Sequence, residues 1–249
     1  MSITSYPNFV SFGGGVGDYP YFLQVSRGLV TGHKRIFKFG YNGEIQNVEE
    51  TIWDVGGLYA YPSSAVTMTA TSSAGASDEN VEVTIQGLDT NYAELSETVT
   101  LNASGTATTT GSFLRVYRAF VSSSSASSGN ISITNSSTTY AYISIADQQT
   151  LMALWTVPAG YTAYLFQIDT TAFTIQNNKV ATIRMLTREV NSVFRTQNKF
   201  DLFAGSYHQD IICPQPLPEK TDIEFRAIAD SSNADLRVSS TFDIIYIEN

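Results

Sequence analysis

Residues 81–121, VEVTIQGLDTNYAELSETVTLNASGTATTTGSFLRVYRAFV, contain several runs in which apolar and polar side chains alternate. A period of two places successive side chains on opposite faces of an extended chain, so each run predicts a strand with one buried face. Residues that favour turns separate the runs at 87–91 and 102–105. The stretch therefore predicts an antiparallel meander, and it contains no catalytic motif.

The same pattern continues on both sides of this stretch. Strand-like runs recur about every 8–12 residues without convincing helices between them, which is typical of sandwiches and jelly rolls. Phe22–Val30 and Arg35–Phe39 are interpreted as strands, and Asn42–Gly43 is a strong hairpin signal. Pro214–Pro218 predicts a stiff connector or an edge strand. The sequence therefore predicts an all-β fold.

The chain has 249 residues, which is enough for one large β core or two small ones. We predict an extended N-terminal arm over residues 1–21, a β-sandwich domain over 22–150 and a jelly-roll-like β domain over 151–249. Residues 22–55 can pair with either β unit, so their placement stays open at this point. The fold class is thus all-β, with two sandwich or jelly-roll-like units and an arm.

Composition limits the classes of partner. The formal net charge of −9 repels a phosphate backbone, so we expect no nucleic-acid partner. A single cysteine, Cys213, excludes an intramolecular disulfide and fits synthesis in a reducing cytoplasm. The N-terminus lacks the pattern of a secretory signal, and no apolar run approaches the roughly 20 residues that cross a bilayer. We therefore expect no membrane partner.

The N-terminal arm combines many glycines with isolated aromatic side chains. Glycine at this density does not hold a regular element, whereas aromatic side chains are costly to leave in water. Two interpretations remain: an unanchored terminus, or an arm that packs on a neighbouring subunit. The second makes candidate interface residues of Phe9, Phe12, Tyr19 and Tyr21.

Five further side chains are candidates for binding. Arg115 and Arg118 lie in one predicted strand, where they either contact another subunit or an acidic partner, or extend along the surface as solvated side chains. Trp53, Tyr59 and Tyr61 lie near two glycines. Aromatic rings in such a loop either stack on a sugar ring or pack beneath the loop. Both alternatives remain for each group.

The sequence contains no nucleophile elbow, phosphate-binding loop, dinucleotide fingerprint or zinc-protease motif. The histidines, His33 and His208, have no nucleophile nearby in sequence. Cys213 is expected to be a small buried hydrophobe, and Asp78–Glu79 a solvated loop charge. We therefore predict no catalytic residue, no cofactor, no metal site and no enzymatic activity. A polysaccharide hydrolase is a remote alternative, because it needs paired carboxylates in a cleft.

Nine segments, taken in order, carry a resemblance to a known family. They are Val25–Gly28, Gly32–Lys34, Lys38–Gly40, Ile52–Gly57, Val83–Tyr92, Glu97–Asn102, Phe113–Ala119, Thr156–Tyr164 and Pro216–Ile223. Together they resemble structural proteins encoded by tailed bacteriophages, of a type common in marine and cyanobacterial phages. The resemblance covers nearly everything from residue 22 onward. It implies a virion component without catalysis, and it does not distinguish head from tail.

On this basis the expected function is that of a capsid decoration or cement protein. Such a protein forms a homo-oligomer, here expected to be a trimer, and contacts major capsid or tail proteins in the virion after synthesis in the host cytoplasm. The alternative is a tail-associated or fibre protein that contributes to host-surface glycan attachment. In that alternative, the sugar-stacking rings are those of Trp53, Tyr59 and Tyr61.

Overall fold

Antiparallel β-strands make up nearly all of the regular structure, and they confirm the predicted all-β class. The structure is a computed structural model that describes residues 19–174, 179–231 and 236–249. Within these ranges one helix, α1 (Tyr21–Ser26), and one 3-10 turn (Gly75–Asp78) accompany the strands. The strands are β1 (His33–Asn42), β2 (Glu50–Thr51), β3 (Val66–Ser72), β4 (Glu82–Leu88), β5 (Glu94–Thr100), β6 (Thr106–Phe113), β7 (Arg115–Val121), β8 (Ile131–Asn135), β9 (Thr138–Ile143), β10 (Leu154–Thr156), β11 (Tyr161–Thr174), β12 (Val180–Arg188), β13 (Arg195–Phe203), β14 (Gly205–Asp210), β15 (Pro216–Leu217), β16 (Asp222–Ala229) and β17 (Leu236–Glu248).

The first sandwich consists of β3 to β9. One sheet has the order β6-β3-β8-β9, and the other has the order β5-β4-β7. Their facing sides bury alternate apolar side chains, because each strand turns every second residue inward. The buried residues include Met68, Ala70, Ile131 and Ile133 from one sheet and Val83, Ile85, Val116 and Ala119 from the other. The first sandwich therefore closes within residues 66–143.

The predicted meander is correct for its first pair only. β4 pairs with β5, but β6 pairs with β3 in the other sheet, and β7 returns to the free side of β4. The Glu97 carboxylate accepts hydrogen bonds from the backbone N–H groups of Thr110 and Gly111, at 2.7 and 2.8 Å. These bonds hold β6 beside β5, although the two strands do not pair through their backbones. Residues 106–113 thus form a strand that crosses between the sheets.

The second sandwich consists of the remaining strands. One sheet has the order β1-β17-β11-β14, with β15 paired to β11, and the other has the order β10-β16-β12-β13, with β2 paired to β16. The rings of Phe225 and Phe242 stack across the two sheets, with centroids 5.1 Å apart. The rings of Trp155 and Tyr246 also meet between them, at 5.1 Å. Large aromatic side chains thus fill this core.

Strand pairing places His33–Thr51 in the second sandwich. β1 pairs with β17 along its full length, and β2 pairs with β16, so neither joins the first sandwich. Of the two pairings considered for residues 22–55, the one with the C-terminal strands is therefore observed for His33–Thr51. Pairing does not define folding units, so the division into domains 22–150 and 151–249 stays a prediction.

Two local predictions are wrong. The first half of the predicted strand Phe22–Val30 is helix α1, in which the neighbouring residues Gln24 and Val25 are both buried. The backbone N–H groups of Gln24 and Arg27 donate to the carbonyl oxygens of Pro20 and Leu23, four residues earlier, which is the hydrogen bonding of a helix and not of a strand. The predicted hairpin at Asn42–Gly43 is absent, because the next strand, β2, pairs with β16 and not with β1, although the Asn42 side chain does accept a hydrogen bond from the Glu44 N–H at 2.9 Å.

Candidate interaction surface

One side of the sheet β1-β17-β11-β14 faces away from both cores, and we call it the outer face. Residues that pair across an antiparallel ladder share a face, so the register defines its composition. Three rows cross it: Phe37–Asp243–Gln167–Asp210, Phe39–Thr241–Asp169–His208 and Tyr41–Ser239–Thr171–Ser206. All of these side chains are exposed or half-buried. The outer face is therefore aromatic along β1 and polar across the other three strands.

The aromatic strip consists of Phe37, Phe39 and Tyr41. Phe37 is 51% exposed, and its ring lies 6.2 Å from that of Phe39. A shallow groove of about 450 Å³ runs along the strip, with Leu151 and Thr241 in its lining. Aromatic side chains that leave water on contact contribute strongly to interfaces. The strip is therefore the part of the outer face best suited to binding.

The position of β1 is fixed from its inner side. Lys38, Gly40 and Asn42 alternate with the aromatic strip and are buried. A Cβ on Gly40 would lie 2.2 Å from the Ala153 backbone nitrogen and 2.4 Å from the Ile52 carbonyl oxygen. Because only glycine fits at this approach, a shift of register by one residue is excluded. The three aromatic side chains must therefore face outward.

The centre of the outer face presents hydroxyl groups, and its far edge presents an ionic group. The hydroxyls of Thr171 and Ser239 are 2.8 Å apart. At the edge, Nδ1 of His208 lies 2.5 Å from Asp169, and its Nε2 lies 3.3 Å from Asp210. Hydrogen bonds to the carboxylates of Asp169 and, to a smaller extent, Asp210 raise the pKa of this exposed imidazole. These polar groups suit hydrogen bonding rather than nucleophilic chemistry.

A larger cavity of about 870 Å³ lies where α1 meets the outer face. Phe22 on α1 packs edge-on against Phe166 on β11, with ring centroids 5.0 Å apart. Ile212, which is 91% exposed, lines the opposite wall. The ion pair between Arg35 and Asp243 also lines the cavity. Since Asp243 pairs directly with Phe37 of the aromatic strip, this cavity adjoins the groove.

The structure describes two of the four predicted arm residues. The Arg27 guanidinium lies 4.7 Å above the Tyr19 ring. The Tyr21 hydroxyl lies 2.6 Å from Nδ1 of His33, and the two rings meet edge-on. The other two predicted residues, Phe9 and Phe12, lie outside the described residues. Tyr19 and Tyr21 thus anchor the start of α1, and a role for the arm in subunit contacts stays a proposal.

The two candidate arginines have different environments. Arg115 is buried, and its guanidinium donates to both carboxylate oxygens of Asp222, at 2.7 and 3.1 Å. Asp222 is also paired with Arg188 at 2.5 Å. Arg118 is exposed, and its guanidinium lies 4.6 Å from the Phe120 ring. Arg115 therefore holds the first sandwich to the second inside the chain, and of the two only Arg118 is open to a partner.

A second buried carboxylate extends this arrangement, which we call the junction network. Glu224 accepts hydrogen bonds from Thr51 at 2.5 Å, from Tyr61 at 3.1 Å and from Arg226 at 2.9 and 3.0 Å. Arg226 also pairs with Glu49 at 3.0 Å. Burial opposes the charge on Arg226, but the hydrogen bonds that Arg226 donates to Glu224 and Glu49 outweigh this effect and raise its pKa. Each charged group of the network is paired within it, so the network has a structural role.

The three predicted sugar-stacking rings pack under the loop instead. The rings of Trp53 and Tyr59 meet edge-on at 5.2 Å, and those of Tyr59 and Tyr61 at 4.8 Å. The Trp53 indole N–H donates to the Gly56 carbonyl oxygen at 3.0 Å. Trp53 and Tyr59 are buried, and Tyr61 contacts the junction network. Their faces are thus not open to a sugar ring.

Two expectations about single residues are wrong. Cys213 is exposed in the loop that follows β14. Asp78 is buried and accepts hydrogen bonds from Ser72, Ser128 and Gly129. Burial acts to raise the pKa of Asp78, but these hydrogen bonds outweigh it and lower the pKa. Asp78 thus holds Ser128 and Gly129 against the 3-10 turn.

Sequence reasoning misses two ionisable residues between the sandwiches. Burial and the nearby Arg118 charge lower the pKa of Lys38 to about 7, and its ammonium donates to the Tyr117 carbonyl oxygen. Burial raises the pKa of Asp54 to about 7, although a hydrogen bond from the Leu151 N–H opposes this change. Both lie in ordinary alternating or turn sequence. Only the approach of distant strands reveals them.

Among residues 19–174, 179–231 and 236–249, no group of three or more His, Cys, Asp or Glu side chains is placed to hold a metal ion. In the same ranges, no helix combines the length and apolar character needed to cross a bilayer.

Comparison with known proteins gives weak similarities only. No protein-family model and no curated protein matches the chain. One similar solved structure is that of infectious bursal disease virus Gx strain, with 10% identity, 87% of this chain and 72% of that chain covered, and a TM-score of 0.26. Another is the infectious bursal disease virus VP2 subviral particle, with 9% identity, the same coverage and a TM-score of 0.24. TM-scores this low carry no argument about fold or function.

Proposed function

We propose that this chain is a non-enzymatic structural protein of a bacteriophage virion, and that it acts as a capsid decoration or cement protein. The exposed aromatic strip carries the proposal. Phe37, Phe39 and Tyr41 present apolar area beside uncharged hydroxyls, on a sheet held rigidly by the core beneath it. Such a surface suits contact with another protein, because aromatic side chains dominate interface energetics and hydroxyls complete the polar rim. The resemblance to phage structural proteins supports the same assignment.

The expected assembly is a closed homo-oligomer, with a trimer as the leading form. Structural proteins that repeat on a particle bind through symmetric copies of one interface. The junction network supports this role, because buried ion pairs such as Arg115–Asp222 fix the two sandwiches as one rigid building block. A rigid block loses little conformational freedom on assembly. Its partners are other copies of itself and a major capsid or tail protein.

Purified virions test the proposal directly. Quantitative mass spectrometry of the particles measures the copy number, and cryo-electron microscopy with an antibody against this chain locates it. A decoration protein is expected in copy numbers on the order of hundreds, spread over the capsid. Absence of the chain from the particle would contradict the virion role.

The same measurement decides between head and tail. A tail-associated or fibre protein is present in a small multiple of three or six copies, because tails have that symmetry. Antibody density at the tail would therefore establish the alternative. The rings of Trp53 and Tyr59 are buried against each other, so they are not free to stack on a glycan.

A further inference from the structure

We propose that the outer face binds residues 6–12 of the N-terminal segment of a second copy. Tyr6, Phe9 and Phe12 of that segment would occupy the apolar track formed by the cavity beside α1 and the groove along the aromatic strip. The inference rests on the proposed function, because only a self-assembling chain meets a second copy on the particle. It deepens that function by naming the segment that occupies the interface.

The track has a defined length and a suitable lining. From Arg35 to Tyr41 it follows six residues of β1, or about 20 Å at a rise of roughly 3.3 Å per residue. Its walls include Phe22, Ile212 and the aromatic strip. The Arg35 and Asp243 charges are already paired with each other. Asp210 and Asp147 also line the track, so it favours a segment that has aromatic side chains and no acidic ones.

Residues 6–12 match the track in spacing and charge. Tyr6, Phe9 and Phe12 recur every third residue, and Pro7 favours an extended conformation with three residues per turn. In that conformation side chains three residues apart project from the same side at intervals of about 9 Å, so the three rings span about 19 Å. No Asp, Glu, Lys or Arg occurs among residues 1–12. The segment thus has the length and the chemistry that the track requires.

The first described residues, Tyr19 and Tyr21, lie near the start of β1. Tyr19 is held by the Arg27 guanidinium, and Tyr21 by His33 at the first residue of β1. The aromatic strip begins four residues further along β1 and runs away from this point. Because the chain is proposed to self-assemble, we assign the segment to the track of a second copy, and mixed variants distinguish this from a segment that fills its own track. In the sequence, Gly13, Gly14 and Gly15 separate the aromatic residues of the segment from Tyr19.

Light scattering of full-length variants tests this contact. Phe37→Ser removes one ring from the track, and the double variant Phe9→Ser/Phe12→Ser removes two from the segment. Phe203→Ser is the matched control, since Phe203 is 57% exposed but belongs to the other sheet. We expect the dissociation constant of the oligomer to rise about tenfold or more for the first two variants and to stay unchanged for the control. Circular dichroism of each variant verifies the fold.

Mixing the two defective variants distinguishes exchange from self-occupancy. The Phe37→Ser chain retains an intact segment, and the Phe9→Ser/Phe12→Ser chain retains an intact track, so their mixture should form a one-to-one dimer. Absence of that dimer, together with weakening in each variant alone, means that each segment fills its own track. An oligomer unaffected by Phe37→Ser also overturns the inference, but it leaves self-assembly intact. Detection of the chain in virions tests the proposed function independently of all these outcomes.

Discussion

The two sandwiches use different spans of the chain. The first takes all its strands from residues 66–143, whereas the second joins His33–Thr51 to strands that begin at Leu154 and end at Glu248. Among the described strands, two of the five pairings in the first sandwich join consecutive strands, but only one of the eight pairings in the second does, so the second depends more on contacts between distant residues. Buried charge is concentrated where the two meet, in the junction network. The difference teaches that the long-range half of this fold depends on specific polar contacts as well as on hydrophobic burial.

The largest effect is expected from Asp222→Asn. The substitution keeps the shape of the side chain but leaves Arg115 and Arg188 without a counter-ion in the interior. Breaking a buried ion pair on one side typically costs about 3–5 kcal/mol, so the free energy of unfolding should fall by that amount. Asp201→Asn is the control, because Asp201 is exposed. Equal denaturant midpoints for the two variants would show that the junction does not join the sandwiches.

Gly40→Ala tests the close approach behind the aromatic strip. The new Cβ would meet the backbone of Ala153 and Ile52, neither of which can rotate away. We expect a loss of about 3 kcal/mol in denaturant unfolding, at the upper end of the overpacking range. Gly43→Ala is the matched control, because its Cβ would meet only the Tyr41 ring at 3.4 Å or more. If the two variants are equally stable, β1 is not held as described.

The lowered pKa of Lys38, which lies at the boundary between the sandwiches, predicts that the stability of the fold depends on pH. Its pKa is about 7 in the folded chain and near the ordinary 10.5 when unfolded. Between these values the unfolded chain binds more protons at this site, so stability rises with pH. We expect Lys38→Met to remove a rise on the order of 2 kcal/mol between pH 6 and pH 9.

The control for this pH effect is Lys199→Met. Lys199 is exposed on β13, so the variant should retain the wild-type dependence in denaturant titrations across that pH range. A Lys38→Met variant whose stability changes with pH as steeply as the wild type would contradict the assignment. The substitution also removes the hydrogen bond to Tyr117, which shifts stability at every pH without changing the slope.

The smallest effect is expected from Lys34→Ala. Lys34 on β1 pairs with Glu94 on β5 at 2.5 Å, so it too connects the sandwiches, but both side chains are largely open to solvent. Exposed pairs typically contribute about 0–1 kcal/mol, and salt screens them. Thermal unfolding should therefore change little, and any difference should vanish in high salt. A loss of stability as large as that expected for Asp222→Asn would mean that an exposed ion pair contributes as much as a buried one.

The sequence predicts the strands well and their partners poorly. Alternation along residues 81–121 depends only on neighbouring side chains, so β4, β5 and β7 follow from it. The pairing of β1 with β17 joins residues about two hundred positions apart, and no local pattern encodes it. The Pro214–Pro218 prediction of an edge element agrees with β15, because proline lacks the donor that an inner strand needs.

The candidate surface shows the same limit. An alternating pattern places Arg115 and Arg118 on opposite faces of a strand but does not say which face is buried, and the register of β7 also shifts at a bulge between Gln86 and Gly87. One arginine is then buried against Asp222, and the other remains exposed. Sequence alone also assigns no partner to Asp78. Such side chains acquire their roles from contacts that form only when the sheets assemble.

The mass of the unmodified chain in solution tests the central claim most directly. The claim is that the outer face buries its aromatic strip against other copies of this chain. Multi-angle light scattering over a range of concentrations should give a mass that is a multiple of 27.2 kDa and falls on dilution. A constant mass of 27.2 kDa at every concentration would contradict it.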